Sequence, residues 1–140
     1  MGVGTDIVKV DMFLNHRLDT SLLVKMGQAF AKEFANEKPD LVLTVEASGI
    51  AVAVATAIAL NNIPVVFAKK SPSRNATDDA YQSRVYSYTH SVDNYIRVAK
   101  PYLPAGSRVL IVDDFLANGE ACDGLCDLVR QAGATVAGIG

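Results

Sequence analysis

The chain has 140 residues, 50% hydrophobic and 20% charged, with a formal net charge of −2. That is about one domain at the usual ~150 residues per domain, with enough apolar side chains to bury roughly two-thirds of its unfolded surface without disulfide or metal staples. The balance excludes a disordered chain and a general nucleic-acid binder, and two cysteines, Cys122 and Cys126, are too few for a disulfide framework and read as small core residues in a reducing cytosol.

In chain order, Met1-Gly2-Val3-Gly4 has neither a basic start nor a long apolar run, and the sixth residue is Asp6, so the expectation is a cytoplasmic protein without leader or lipid. Asn75-Ala76-Thr77 matches a glycosylation sequon, which in such a chain is read as chance. Asp19 or Thr20 is an N-cap candidate for a helix running to about Glu37, whose Leu22, Leu23, Met26, Phe30 and Phe34 form one apolar stripe. Leu41-Val42-Leu43-Thr44-Val45 has the continuous apolar character of a parallel strand buried on both faces. Glu46-Ala47-Ser48-Gly49 then reads as a tight turn into an Ala-rich helix, with Pro64-Val65-Val66-Phe67-Ala68 as the next strand. Residues 47–68 carry no charge, yet Asn61, Asn62 and Pro64 interrupt them. The uninterrupted helix would rise only ~18 Å against a ~30 Å hydrocarbon core, so a buried βαβ unit is expected and no membrane span.

Residues 71–83 are polar and lack either period, which predicts a loop. Residues 84–90 alternate and predict a strand, with 95–99 as its antiparallel partner. Arg108-Val109-Leu110-Ile111-Val112 predicts a second buried strand ending in Asp113-Asp114; residues 119–131 then read as a helix, Gly133 as its C′ residue, and 135–140 as a further strand. The expected fold is α/β: a mostly parallel twisted sheet flanked by helices, with a flexible loop and an antiparallel hairpin inserted.

In an open parallel sheet, ligands bind beyond the carboxyl ends of the strands. Three strands here finish in chemistry-bearing residues: Glu46-Ala47-Ser48-Gly49, Lys69-Lys70 and Asp113-Asp114. After the last of these, Phe115-Leu116-Ala117-Asn118-Gly119-Glu120-Ala121 leads through small residues into a helix, where backbone N–H groups and the helix N-terminus suit a phosphate. Adjacent carboxylates beside a phosphate cradle suit hydroxyls or a ligand-borne divalent cation, so a phosphorylated sugar satisfies both halves. The competing reading is a doublet that merely ends a strand in solvent beside an ordinary turn. Residues 69–100 carry six basic and three acidic groups between two net-acidic flanks, which favours an anionic ligand and also arises by chance.

The 109–121 segment resembles the motif by which type I phosphoribosyltransferases bind phosphoribosyl pyrophosphate (PRPP). Lys9-Val10-Asp11, Phe13-Leu14-Asn15-His16, Val45 to Ala51, Pro64 to Lys70 and Val85-Tyr86-Ser87-Tyr88-Thr89 extend the resemblance over nearly the whole chain, and Phe-Leu-Asn-His favours the xanthine branch of bacterial purine salvage. The resemblance implies a single phosphoribosyltransferase domain that takes PRPP with Mg²⁺ and a purine base, xanthine first, as a homodimer. It also implies roles: Ala117, Asn118, Gly119, Glu120 and Ala121 for the 5′-phosphate, and Asp113 and Asp114 for the ribose hydroxyls that help chelate Mg²⁺, with no direct protein ligand to the metal. Glu46, Ala47, Ser48 and Gly49 match the pyrophosphate loop, which often holds a non-proline cis peptide; Lys69 or Lys70 would neutralise the leaving pyrophosphate, and residues 71–86 match a mobile catalytic loop. Val8, Asn15 and Phe115 match base-contacting positions. Two departures stand out: Ala117 replaces an Asp found in some purine members, and the family continues past Gly140, so part of its base-binding region has no counterpart here. The alternative is a PRPP-sensing or inactive truncated domain.

Overall fold

The first described helix, α1 (Thr20–Phe34), begins where Asp19 accepts a hydrogen bond from the Leu22 N–H at 3.1 Å, the expected N-cap. The computed structural model describes residues 17–47, 49–73, 79–87, 92–113 and 120–140. α1 passes into a single 3-10 turn (Ala35–Glu37) that ends at Lys38 in the left-handed region, followed by β1 (Leu41–Val45), α2 (Gly49–Ala59) and β2 (Val65–Ser71). The antiparallel pair β3 (Ala80–Ser87) and β4 (Val92–Ala99) comes next, then β5 (Arg108–Ile111), α3 (Glu120–Ala132) and β6 (Thr135–Ile139).

The strands form one six-stranded sheet in the order β3-β4-β2-β1-β5-β6. β2, β1, β5 and β6 run parallel, whereas β4 is antiparallel to both β2 and β3. Helices cover both faces of the parallel part. On one face Leu23 of α1 and Val52, Ala53 and Ala57 of α2 pack on Val42, Leu110 and Val112. On the other, Leu125, Leu128 and Val129 of α3 pack on Leu43, Val109 and Ile111, and the cluster extends to Ile96 and Val98 of β4. β1 lies at the centre with all five residues buried, as its unbroken apolar run requires. α1 and α2 meet at Gly27, where an added Cβ would lie 2.5 Å from the Ala55 carbonyl carbon. α3 ends at Gly133, whose φ of 73° is a C′ conformation that glycine adopts without strain. Among the described residues, no helix is long and apolar enough to cross a membrane.

The hairpin departs from the sequence expectation at both strands, since β3 begins at Ala80 rather than residue 84 and β4 at Val92 rather than 95. Its inward positions explain the difference. Tyr81, Ser83 and Val85 share the face toward α3, and the buried Ser83 (8% exposed) breaks the alternation that would have revealed the strand. The described part of the expected 71–83 loop is correspondingly shorter. β2 also runs past Ala68 to Ser71, because β4 continues to pair with it after β1 has ended: Lys69 faces Arg97, Lys70 faces Ile96 and Ser71 faces Tyr95.

At the amino ends of the central strands, Asp40 and Arg108 hold each other. The Arg108 N–H donates to Asp40 Oδ2 at 2.8 Å, and the Asp40 N–H donates to the Arg108 carbonyl at 2.7 Å. The Arg108 guanidinium adds a bond to the Glu37 carbonyl at 2.6 Å and an ion pair with its carboxylate at 3.4 Å.

Candidate active site

The opposite, carboxyl edge of the parallel strands carries Glu46, Ala47, Gly49 and Asp113 among the residues singled out from the sequence. Beyond β1, the Glu46 N–H still donates to the Ala68 carbonyl at 3.1 Å, and the chain then leaves the ladder. The Glu46 side chain takes the ladder's next place, since its Oε2 accepts the Lys70 N–H at 2.8 Å. A carboxylate closing a buried strand needs a partner, and this main-chain donor is one. The Glu46–Ala47 peptide is cis, as the resemblance implied for this loop. Ile50 then donates to the Ala47 carbonyl at 3.2 Å as α2 begins at Gly49.

Asp113 stands two residues past the end of β5. The backbone before it is held from both sides: the Val112 N–H donates to the Leu43 carbonyl at 3.0 Å, and the Gly140 N–H donates to the Ile111 carbonyl at 2.8 Å. Asp113 is only 9% exposed, which argues against a strand simply ending in solvent. The N-terminus of α2 approaches it. Asp113 Oδ1 lies 2.6 Å from where a Cβ on Gly49 would sit, so the first residue of α2 must be glycine for the carboxylate to come this close. Its negative charge also reaches Cys122 in the first turn of α3. The positive end of the α2 dipole offsets the burial of the negative charge.

Cys122 and Cys126 are half-buried free thiols one turn apart on α3, less enclosed than the core positions expected of them. The Cys122 thiol is pushed up from an ordinary 9.0 to about 11, first by burial, then by Cys126 and finally by the negative charges of Asp123 and Asp113. It is a neutral thiol at physiological pH and no nucleophile.

The two lysines are not at a strand end, as the sequence suggested, but inside the extended β2, where alternation sends their side chains to opposite faces. Both are exposed. Lys69 borders a cavity of about 350 Å³ with Phe67, Asp79, Arg97 and Tyr102, while Lys70 is the residue whose main chain anchors Glu46. Of the expected phosphate cradle, Glu120 is the first residue of α3 and Ala121 lies half-buried in its first turn. Asp114, Phe115, Ala117, Asn118 and Gly119 lie outside the described residues, as do Val8, Asn15 and Ser48. Of the expected catalytic loop (71–86), residues 80–86 form most of β3.

One participant at this edge escaped the sequence reading. Thr44, the last residue but one of β1, is wholly buried, and its Oγ1 finds no hydrogen-bond partner among the described residues. It lies 2.4 Å from the position of a Gly49 Cβ, beside Asp113. The available signal was a hydroxyl inside an otherwise aliphatic strand.

A family model described as "Phosphoribosyl transferase domain" matches residues 19–140. The chain belongs to the phosphoribosyltransferase family. Within that family it is 54% identical to a xanthine phosphoribosyltransferase of Heliobacterium modesticaldum, over 99% of this chain and 72% of the relative. It is 53% identical to one of Laribacter hongkongensis, over 96% of this chain and 70% of the relative. With one from Oenococcus oeni the identity is 48%, over 99% of this chain, which spans 66% of that relative's length. Among solved phosphoribosyltransferases, the adenine enzyme of Thermoanaerobacter pseudethanolicus superimposes with a TM-score of 0.74 at 25% identity, covering 86% of this chain and 67% of the other. The fold is therefore that of the type I phosphoribosyltransferases.

Proposed function

We propose that this phosphoribosyltransferase chain acts on xanthine, joining it to the ribose of PRPP to form XMP and pyrophosphate. The observation that carries the reading is Asp113, a nine-tenths buried acidic residue beside the N-terminus of α2 at the carboxyl edge of the sheet, in a chain 48–54% identical to proteins named for that reaction. A buried acceptor in that place suits the two ribose hydroxyls, which are donors, and does not suit a phosphate.

The remaining roles follow the same edge. Asp113 and Asp114 would hold the ribose hydroxyls, residues 117–121 the 5′-phosphate, and Glu46, Ala47, Ser48 and Gly49 with Lys69 or Lys70 the pyrophosphate. Val8, Asn15 and Phe115 would meet the base. Mg²⁺ would enter with PRPP rather than on a protein ligand: the buried Asp113 would accept from a ribose hydroxyl, leaving that hydroxyl's oxygen free for the cation, which when bound would offset the charge of the departing pyrophosphate. Substitution at ribose C1′ would then be a matter of alignment and charge stabilisation, with one lysine ammonium, of Lys69 or Lys70, and the N-terminus of α2 meeting the negative charge that grows on the leaving pyrophosphate. We place the whole chain in one domain, the protein in the cytoplasm, and its assembly as a homodimer.

A spectrophotometric assay with PRPP, Mg²⁺ and each of xanthine, hypoxanthine, guanine and adenine tests the reading. XMP formation outrunning the other products is expected. Calorimetry that finds no PRPP binding, or equal turnover of all four bases, would refute it. Sedimentation of the protein at micromolar concentration tests the dimer.

A further inference from the structure

Thr44 belongs to an aliphatic strand and has no aliphatic reason to be threonine. Its neighbours on that face of the sheet include Val42 on its own strand and Val112 on the next, and it is 0% exposed. Thr56, the other fully buried threonine among the described residues, shows how a hydroxyl is ordinarily accommodated, by donating to the carbonyl four residues back at 2.8 Å. Thr44 Oγ1 has no such bond, and a hydroxyl buried without a partner is destabilising. Valine would fill the same space without that penalty.

The direction in which the hydroxyl points is informative. Thr44 Oγ1 and Asp113 Oδ1 lie 2.4 and 2.6 Å from one point, the place a Gly49 Cβ would take, so the two oxygens are at most about 5 Å apart. An O–H donor with no partner among the described residues therefore sits beside a buried acidic side chain, across the bare face of a glycine. Hydrogen bonds of this kind are often open in a ligand-free site and close only in the complex.

We infer that Thr44 is a positioning residue for Asp113: its hydroxyl donates to one carboxylate oxygen in the PRPP-bound state and so turns the other toward the ribose hydroxyls. Gly49 is the third member, because any side chain there would separate donor from acceptor. The inference rests on the PRPP reading of Asp113 proposed above and adds the residue that orients it.

The test is calorimetric titration with PRPP and Mg²⁺ of the wild-type protein, Thr44→Val, Thr44→Ser, Asp113→Asn and the Thr44→Val/Asp113→Asn double variant, each with a thermal melt. Thr44→Val is expected to melt at or above the wild-type temperature yet bind PRPP about tenfold more weakly, or ~1.4 kcal/mol. Thr44→Ser should restore most of the affinity, and the valine change should have no further effect once Asp113 is already asparagine. A structural role for Thr44 would instead lower the melting temperature and leave the loss unchanged in the Asp113→Asn background. Should the valine variant not fold, Thr44→Ala removes the hydroxyl and gives the same comparison. Wild-type binding of PRPP with Thr44→Val binding equally well overturns this inference alone; absence of wild-type binding overturns the functional reading beneath it as well.

Discussion

Replacing Gly49 by alanine adds one methyl group at the most crowded point of the site. Ordinary van der Waals contact begins near 3.4 Å, and the new carbon would lie 2.4 Å from Thr44 Oγ1 and 2.6 Å from Asp113 Oδ1, shortfalls of about 1.0 and 0.8 Å. Rotating Thr44 only exchanges its hydroxyl for its methyl. It is also locked inside a fully buried strand, so the Asp113 carboxylate is the group that gives way. Overpacking of this kind is destabilising by ~1–3 kcal/mol. In a helix interior alanine would recover up to ~1 kcal/mol of propensity over glycine, and less at the first residue of α2. The net expectation is a loss of about 1–2 kcal/mol in stability. A functional loss should accompany it, because Asp113 is displaced: PRPP affinity should fall at least as far as in Asp113→Asn, by ~tenfold or more. Urea denaturation followed by calorimetry with PRPP and Mg²⁺ reads both quantities on one preparation. A Gly49→Ala protein that binds PRPP normally would show that Asp113 does not depend on this close approach, and the site as described would be wrong.

Asp113→Asn keeps the size and some of the hydrogen bonding of the side chain but removes the charge that strengthens it, so PRPP binding should weaken at least tenfold by calorimetry; unchanged affinity would return the residue to a plain strand end. Glu46→Ala leaves the Lys70 N–H without its acceptor and should lower stability by about 1 kcal/mol in a urea titration, with Glu46→Gln recovering most of it. Gly27→Ala sets a methyl against the backbone of α2 at Ala55 and should destabilise by ~2 kcal/mol in spite of alanine's better helix propensity; a stabilised variant would mean the helices are further apart. The raised pKa of Cys122 means that the fold favours the neutral thiol. Its contribution is whole below the unfolded value of 9.0 and is lost as pH rises toward about 11, so stability should decline over that window and Cys122→Ser should flatten the decline.

The parallel half of the fold was legible because its residues obey a single rule. β1 and β5 are short aliphatic runs buried on both faces, and α1 carries an unbroken apolar stripe behind an Asp cap. The hairpin was read too short because Ser83 and Gln82 follow no apolar period, and what makes them a strand is eight residues of pairing with β4. The lysines misled for a related reason. Two adjacent charges look like the end of a strand, but β4 offers main-chain partners that no local signal announces. At the site, Asp113 and the 46–49 turn were visible as polar residues closing apolar strands, whereas Thr44 was hidden inside one, isosteric with the valines around it.

The clasp between Asp40 and Arg108 lies at the far end of the strands from the chemistry, roughly 15 Å away at ~3.3 Å per residue. Its reach is nonetheless complete. Two parallel strands with only three or four aliphatic residues each look alike at many offsets, and a slide of one residue turns each side chain to the opposite face. Such a slide would carry the Asp113 carboxylate away from Gly49 while leaving the core as greasy as before. The reciprocal bonds at Asp40 work as a zero mark on a ruler, fixing the count from which the reactive edge is measured. Variation at Asp40 or Arg108, remote from any ligand, is thus a route by which drift in sequence could silence the site without unfolding the protein.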